Sequence, residues 1–414
     1  MKQQKVSFYV VFLSLVAAIG GILFGYDTAV ISGTTEIVKT QFGLPTGLEG
    51  WYVGCALIGS IIGGVGIGIV SIVSPIYISE VSPARVRGTM VSFYQLFITI
   101  GFLLAYLVNY LILKGAQLDS TDPALTSRMF NDEYWRGMLG CETLPDVLFL
   151  TVIFFIPESP RWLIVKGRET RATGILQRIY GSSEEARAGL EETRASIAGE
   201  VKTPWSALLE RGIFIAVLIG SAIAILGQFM GVNAVLYYGP KIFADAGFED
   251  PLFSTVLVGV VNMLTTVIAL LIIDRVGRKK LVWWGVGGMI VCLLMIGLYF
   301  LPFTSLPNGF MLTFFLLYVF CTAISISAVV FVLLSEIYPN RVRGLAMSVA
   351  GFALWVGTYL IGQLTPWMLE HLTPAGTFFL FAFMCIPYLW IMYKYVPDTT
   401  GKSLEEIEAY WRKK

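Results

Sequence analysis

The sequence predicts an all-α polytopic membrane protein. Of 414 residues, 56% are hydrophobic and only 14% charged, and mean hydropathy is +0.74. A water-soluble chain of this length would carry more charge on its surface. Apolar runs long enough to cross a bilayer as helices recur along the whole chain. They are apolar throughout, whereas a barrel strand would alternate with period two. The net charge of +1 gives no footprint for nucleic acid.

Ten spans are expected, at 8–33, 51–78, 89–113, 137–157, 212–243, 252–273, 281–301, 310–337, 344–369 and 376–396. The first follows MKQQK, a pattern that resembles a signal peptide. It runs past Gly20-Gly21 without a small-residue cleavage site, so it reads as an uncleaved span. The next two flank SEVSPARVRG, and the fourth ends at PESPRWL. Residues 158–211 are the one long polar stretch, with nine basic and eight acidic residues. Within it SSEEARAGLEETRASIAG has a Ser cap, acidic residues in its first turn and helical spacing, which predicts a helical linker. Six further spans then follow.

Charge between the spans sets orientation. With the N-terminus in the cytoplasm, 24 of the 29 Lys and Arg fall on that side. The other side holds only Lys39, Lys114, Arg128, Arg136 and Lys241. The bias places both termini in the cytoplasm. The chain thus divides into a membrane bundle over 1–157, the cytoplasmic linker over 158–211, a six-span bundle over 212–397 and a cytoplasmic tail over 398–414.

The stretch most telling of function is ILGQFMGVNAVLYYGP, residues 225–240. It carries Gln228, Asn233, Tyr237 and Tyr238 inside an apolar run. An amide facing hydrocarbon loses its hydrogen bonds, so these groups should face a bundle interior or a wet cavity. Spacings of five and four put Gln228, Asn233 and Tyr237 roughly on one helix face. Uncharged amides beside aromatic rings suit a neutral, hydroxyl-rich solute. The other reading is a pair of amides joining two helices. Trp283/Trp284 and Trp390/Tyr393 read instead as interface-belt or lipid-facing residues.

A repeat supports two related halves. SEVSPARVRG (79–88) and SEIYPNRVRG (335–344) agree at seven of ten positions, each just after a span. Glu80 and Glu336 can pair with nearby arginines and latch helix ends; Arg85, Arg87, Arg341 and Arg343 also serve as positive-inside anchors. The five cysteines lie in apolar segments without partner spacing and read as small buried hydrophobes. One histidine, His371, rules out a His-ligated metal site or a His triad, and no phosphate loop or dinucleotide fingerprint occurs outside the spans. No enzyme, cofactor or metal is expected.

These motifs resemble the sugar porter family of the major facilitator superfamily, and within it the bacterial D-xylose–proton symporters. The matching stretches are GGILFGYDTAVISG (20–33), SEVSPARVRG, PESPRWL (157–163), GQFMGVNAVLYY (227–238), DRVGRKK (274–280), LLSEIYPNRVRG (333–344) and VPDTTGKSLEEIE (396–408), spread over the whole chain. The resemblance implies a major facilitator fold with twelve helices in two bundles, a central sugar site and alternating access. Here GCALIGSIIGG (54–64) resembles the outer half of helix 2 and runs straight into VGIGIVSIVSPIYISE (65–80), which resembles the inner half of helix 4. The fused span explains ten helices in place of twelve and keeps the alternation of sides; Gly59/Gly63 and Gly64/Gly68 are small-xxx-small pairs suited to close packing.

By the resemblance, Asp27 carries the proton and Glu142 belongs to the same charge cluster. The family's arginine partner lies in the missing segment, its register held by Ser60. The sugar site maps onto Phe24, Gln95, Gln228, Asn233, Tyr237, Tyr238, Asn262 and Trp355. Phe102, Gly227 and Leu354 stand where a Gln is usual, and Ser327, Ala328 and Phe331 replace the Gly, Pro and Trp of GPxxxW, so a less polar site than one for xylose is implied. Arg275 and Arg278 of DRVGRKK join Glu80, Arg85, Arg87, Glu336, Arg341 and Arg343 in the cytoplasmic latch. The expected function is transport of a monosaccharide or polyol, proton-coupled in the intact family pattern, by a monomer in the bacterial inner membrane. The alternatives are a truncated, inactive relative and a sugar-binding sensor without flux, the latter disfavoured by a short tail.

Overall fold

Inside a bilayer each backbone N–H and C=O must find its partner within the segment, so long apolar runs fold as helices. The structure is a computed structural model describing residues 7–62, 67–83, 86–118, 133–198, 204–339 and 342–396. Its helices are α1 (Phe8–Phe42), α2 (Thr46–Ile62), α3 (Ile67–Val81), α4 (Arg87–Leu118), α5 (Tyr134–Gly140), α6 (Thr143–Ile153), α7 (Pro160–Val165), α8 (Glu169–Tyr180) and α9 (Ser183–Ala198). After these come α10 (Arg211–Phe229), α11 (Val232–Asp245), α12 (Pro251–Val276), α13 (Arg278–Tyr299), α14 (Asn308–Thr322), α15 (Ala328–Ile337), α16 (Arg343–His371) and α17 (Thr373–Lys394).

Eight helical stretches among the described residues are long and apolar enough to span a membrane, and each coincides with an expected span. The other two expected spans are not single helices there. Residues 51–78 are carried by α2 and α3, and the junction at 63–66, where the fused helix was expected, lies outside the described residues. The 137–157 span is split into α5 and α6 by a turn at Cys141-Glu142. Pro145 cannot donate to the Cys141 carbonyl, so the helix restarts with Pro145 in its first turn. Two other spans are interrupted: 212–243 breaks between α10 and α11, and 310–337 contains a π-helical turn at Ala323–Ser327.

The chain forms two compact units. The first comprises Met1–Thr28, Ser60–Ala105 and Gly140–Lys202; the second comprises Ala29–Gly59, Tyr106–Leu139 and Thr203–Lys414. In the first, α1 meets α4 backbone to backbone at Gly21, Gly25 and Gly101. The polar linker has a small core of its own, where Leu176, Ala186 and Leu190 pack with Ile164 and Tyr180. Its caps are those expected of the composition: Ser182 Oγ accepts the Glu185 N–H at 3.1 Å, and Ser159 Oγ accepts that of Trp162 at 3.1 Å.

In the second unit α10 runs along α16, and α13 packs against α14 and α17. Two prolines inside these helices each orphan the carbonyl four residues back, and a tyrosine fills each vacancy. Pro240 leaves Leu236 O, which accepts from Tyr106 Oη at 3.1 Å; Pro366 leaves Gly362 O, which accepts from Tyr238 Oη at 2.7 Å. Tyr238→Phe should therefore cost about 1–3 kcal/mol of stability, the penalty of a buried unpaired acceptor. A thermal melt in detergent should show the drop. An unchanged melt would mean that Gly362 O does not need the hydroxyl. The five cysteines are free thiols. Trp284 and Tyr393, read as interface-belt or lipid-facing residues, are 81% and 70% exposed.

Candidate functional site

The helix break that divides α10 from α11 builds the polar part of the second unit. Gly231 sits at φ +89°, and a Cβ there would lie 2.4 Å from the Phe381 ring, so only glycine fits. The Met230 carbonyl released by the break accepts from Tyr318 Oη at 2.9 Å. Gln228 in the last turn of α10 and Asn233 in the first turn of α11 are thereby brought side by side. Asn233 Nδ2 donates to Gln228 Oε1 at 2.5 Å. The expectation of one continuous helix face is corrected: the chain turns at Gly231, and the break rather than the spacing aligns the amides. The Gln228 amide nitrogen and the Asn233 carbonyl remain outside that bond, a donor and an acceptor suited to a hydroxyl solute.

Of the other expected contacts in this unit, Tyr237 and Tyr238 on α11 are 2% and 1% exposed, Asn262 on α12 is 8% exposed, and Trp355 on α16 is partly buried. The Tyr238 hydroxyl is committed to Gly362, so this residue ties α11 to α16 and can offer a solute only its ring. Phe24 and Gln95, the other two expected contacts, lie partly buried in the first unit.

That first unit holds the carboxylate pair. Asp27 of α1 and Glu142, at the turn Pro145 creates between α5 and α6, are neighbouring carboxyl groups whose side chains come within reach of each other. Two carboxyl groups can hydrogen-bond to each other only when one of them carries a proton. Asp146, a turn further on, is exposed.

The repeated glutamates both find arginines. Glu80 lies 3.9 Å from Arg161, and Glu336 lies 3.2 Å from Arg278. Arg278 was an expected member of the latch, whereas Arg161 was not. It belongs to PESPRWL, some eighty residues beyond Glu80, and nothing in the local pattern joins them. Arg87 is exposed, and Arg343 is partly buried with two guanidinium nitrogens lacking a hydrogen-bond partner among the described residues. Arg85, Arg341 and the 398–414 tail lie outside the described residues, and so does the Arg275 side chain.

The model of the sugar (and other) transporter family matches residues 42–411. The chain belongs to that family. The D-xylose-proton symporter of Escherichia coli (strain K12) is 34% identical over 492 residues, spanning 99% of this chain and 97% of that protein. The arabinose-proton symporter of Bacillus subtilis (strain 168) is 33% identical over 455 residues, spanning 98% and 96%. Among solved structures, the inward open conformation of the xylose transporter from E. coli superposes with a TM-score of 0.82 at 33% identity, covering 97% of this chain and all of that one. This sugar transporter family member is an all-helical integral membrane protein of the major facilitator fold, a carrier and not an enzyme.

Proposed function

We propose that the protein carries a neutral monosaccharide or polyol across the bacterial inner membrane by alternating access, with a proton as coupling ion. The observation that carries the reading is the broken helix at Gly231, which sets the amides of Gln228 and Asn233 side by side within an apolar span that also bears Tyr237 and Tyr238. The names of the two symporter relatives support a sugar and a proton. Gln228, Asn233, Tyr237 and Asn262 are the proposed polar contacts, with the rings of Phe24, Tyr238 and Trp355 and the amide of Gln95 as further contacts. The residues Phe102, Gly227 and Leu354 favour a solute with fewer hydroxyl partners than D-xylose.

Coupling is assigned to Asp27 and Glu142. A proton held between them halves the charge of the pair, from two negative charges to one, during the loaded passage, and its release resets the carrier. The pairs Glu80–Arg161 and Glu336–Arg278 act as cytoplasmic latches. The two bundles at 1–157 and 212–397, the linker between them, cytoplasmic termini and a monomeric state complete the reading. An internal deletion is supported by the alignment with the E. coli symporter. It spans 492 residues against a chain of 414, so at least 78 positions face no residue here.

Counterflow in proteoliposomes over a panel of labelled pentoses, hexoses and polyols tests the reading. Asn262→Ala and Gln228→Ala should raise KM about tenfold for the transported solute, the cost of roughly one hydroxyl hydrogen bond, with melting unchanged. No counterflow for any solute would leave an inert relative, and the reading falls.

A further inference from the structure

On the membrane face where α1 ends, opposite the N-terminus, the second unit contains a group of charges that the sugar and proton sites do not use. The Glu49 side chain, in the first turn of α2, has no solvent exposure at all. Lys241 of α11 donates to its Oε1 at 2.6 Å. Lys39, in the last turn of α1, lies 2.8 Å from its Oε2, an ion pair without hydrogen-bond alignment. Lys241 is also 3.5 Å from Glu36 and is itself 15% exposed. Nearly all charges on this face of the sequence are few and scattered, yet two of its five basic residues converge on one buried carboxylate. A carboxylate taken fully out of water is tolerable only while its cations stay in place.

What the carboxylate holds is specific. Lys241 is four residues beyond Tyr237 and eight beyond Asn233, on the helix that bears the proposed solute contacts. That helix is disconnected from α10 by the Gly231 break, and Pro240 removes one of its own backbone bonds. Backbone continuity therefore does little to fix the far end of α11. Side chains hold it: Tyr299 Oη and Asn308 Nδ2 donate to the Ala246 and Gly247 carbonyls just past it, and Lys241 joins it to α2.

We propose that Glu49 is a positioning residue of the transport cycle: it seats Lys241, and through it α11, and each opening of this membrane face separates the two. The cycle part of this inference rests on the transport reading given above; the seating part does not. Glu36 and Asp245 are the remaining carboxylates of the group, and Lys39 the remaining cation. Removing the Glu49 charge takes away the carboxylate that both ammonium groups touch and leaves only Glu36, 3.5 Å from Lys241, and Asp245 to offset their repulsion, so the ends of α2 and α11 move apart.

Spin labels at Leu48 and Ala244, both exposed, read that separation by pulsed electron paramagnetic resonance in full-length protein whose five native cysteines are replaced by alanine. Glu49→Gln and Lys241→Met should each raise the population of the longer distance about tenfold. Lys241→Arg keeps the charge and should restore the original distribution. In counterflow, Glu49→Gln should lower KM for solute entering from this face while lowering kcat, a split that a general loss of stability does not produce. Unchanged distances in both neutral variants overturn the proposal, and so does a shift that Lys241→Arg shares. Should Glu49→Gln not fold, Lys241→Met and Lys241→Arg decide the matter. The distance readout needs no solute, so an unmodified protein that moves no sugar defeats the transport reading alone.

Discussion

Gly25→Ala is expected to prevent the protein from folding. A Cβ built at Gly25 would lie 2.0 Å from the Ile98 carbonyl oxygen and 2.9 Å from its carbon. The obstacle is backbone, so no rotamer change on α4 can relieve it. From the other helix, a Cβ at Gly101 would lie 2.3 Å from Ile22 O and 3.0 Å from the Cα of Gly25. Two helices that touch this closely gain their contact through dispersion, for which small residues are essential in a membrane. Forcing them apart should cost at least about 3 kcal/mol, the upper end of overpacking penalties, and would displace Asp27 two residues away. The monodisperse fraction after detergent extraction and size exclusion measures the loss. Gly88→Ala is the control, since a Cβ there meets nothing within 4 Å, and it should extract normally. Normal extraction of Gly25→Ala would show that α1 and α4 do not cross as described.

Asp27→Asn should abolish uphill transport and spare exchange. Asparagine keeps the shape of the side chain and can still hydrogen-bond to Glu142, but it has no proton to give up. One coupled proton supplies about 2.3 kcal/mol per 100 mV, equivalent to roughly 50-fold accumulation. In the variant that ratio should fall to one, while labelled solute still exchanges against unlabelled solute at a comparable rate. Loss of exchange together with accumulation would place Asp27 in solute binding rather than coupling. Uphill uptake that survives the substitution would remove it from coupling altogether.

The positions of the helices were legible in the sequence because hydrophobicity and helix length are both one-dimensional properties. Eight expected spans match helices within a few residues at most ends, although α1 continues to Phe42, past the expected end at 33. The breaks were less legible. Gly231 adopts a left-handed conformation that its place in an apolar run does not announce, and Pro145 splits a span that hydropathy alone reads as continuous. Of the site, Gln228 and Asn233 were marked by amides in an apolar run, and they do meet. Tyr238 was marked by the same logic, but its hydroxyl serves the Gly362 carbonyl; Pro366 four residues further on was the available signal. Of the long-range charge pairs, Arg278 with Glu336 was legible from the motifs, and the others were not. Arg161 finds Glu80, and Lys39 and Lys241 find Glu49, through folding that brings distant segments together. The scarcity of basic residues on the face opposite the termini was the one hint that those present have a use.

The central claim is that a neutral solute and a proton cross together. Unmodified protein in liposomes, given labelled sugars outside and an inward proton gradient, tests it in one experiment. The account predicts that at least one pentose, hexose or polyol rises well above its external concentration and drains back when a protonophore collapses the gradient. Equal internal and external levels with and without the gradient, or no entry of any sugar, would contradict it.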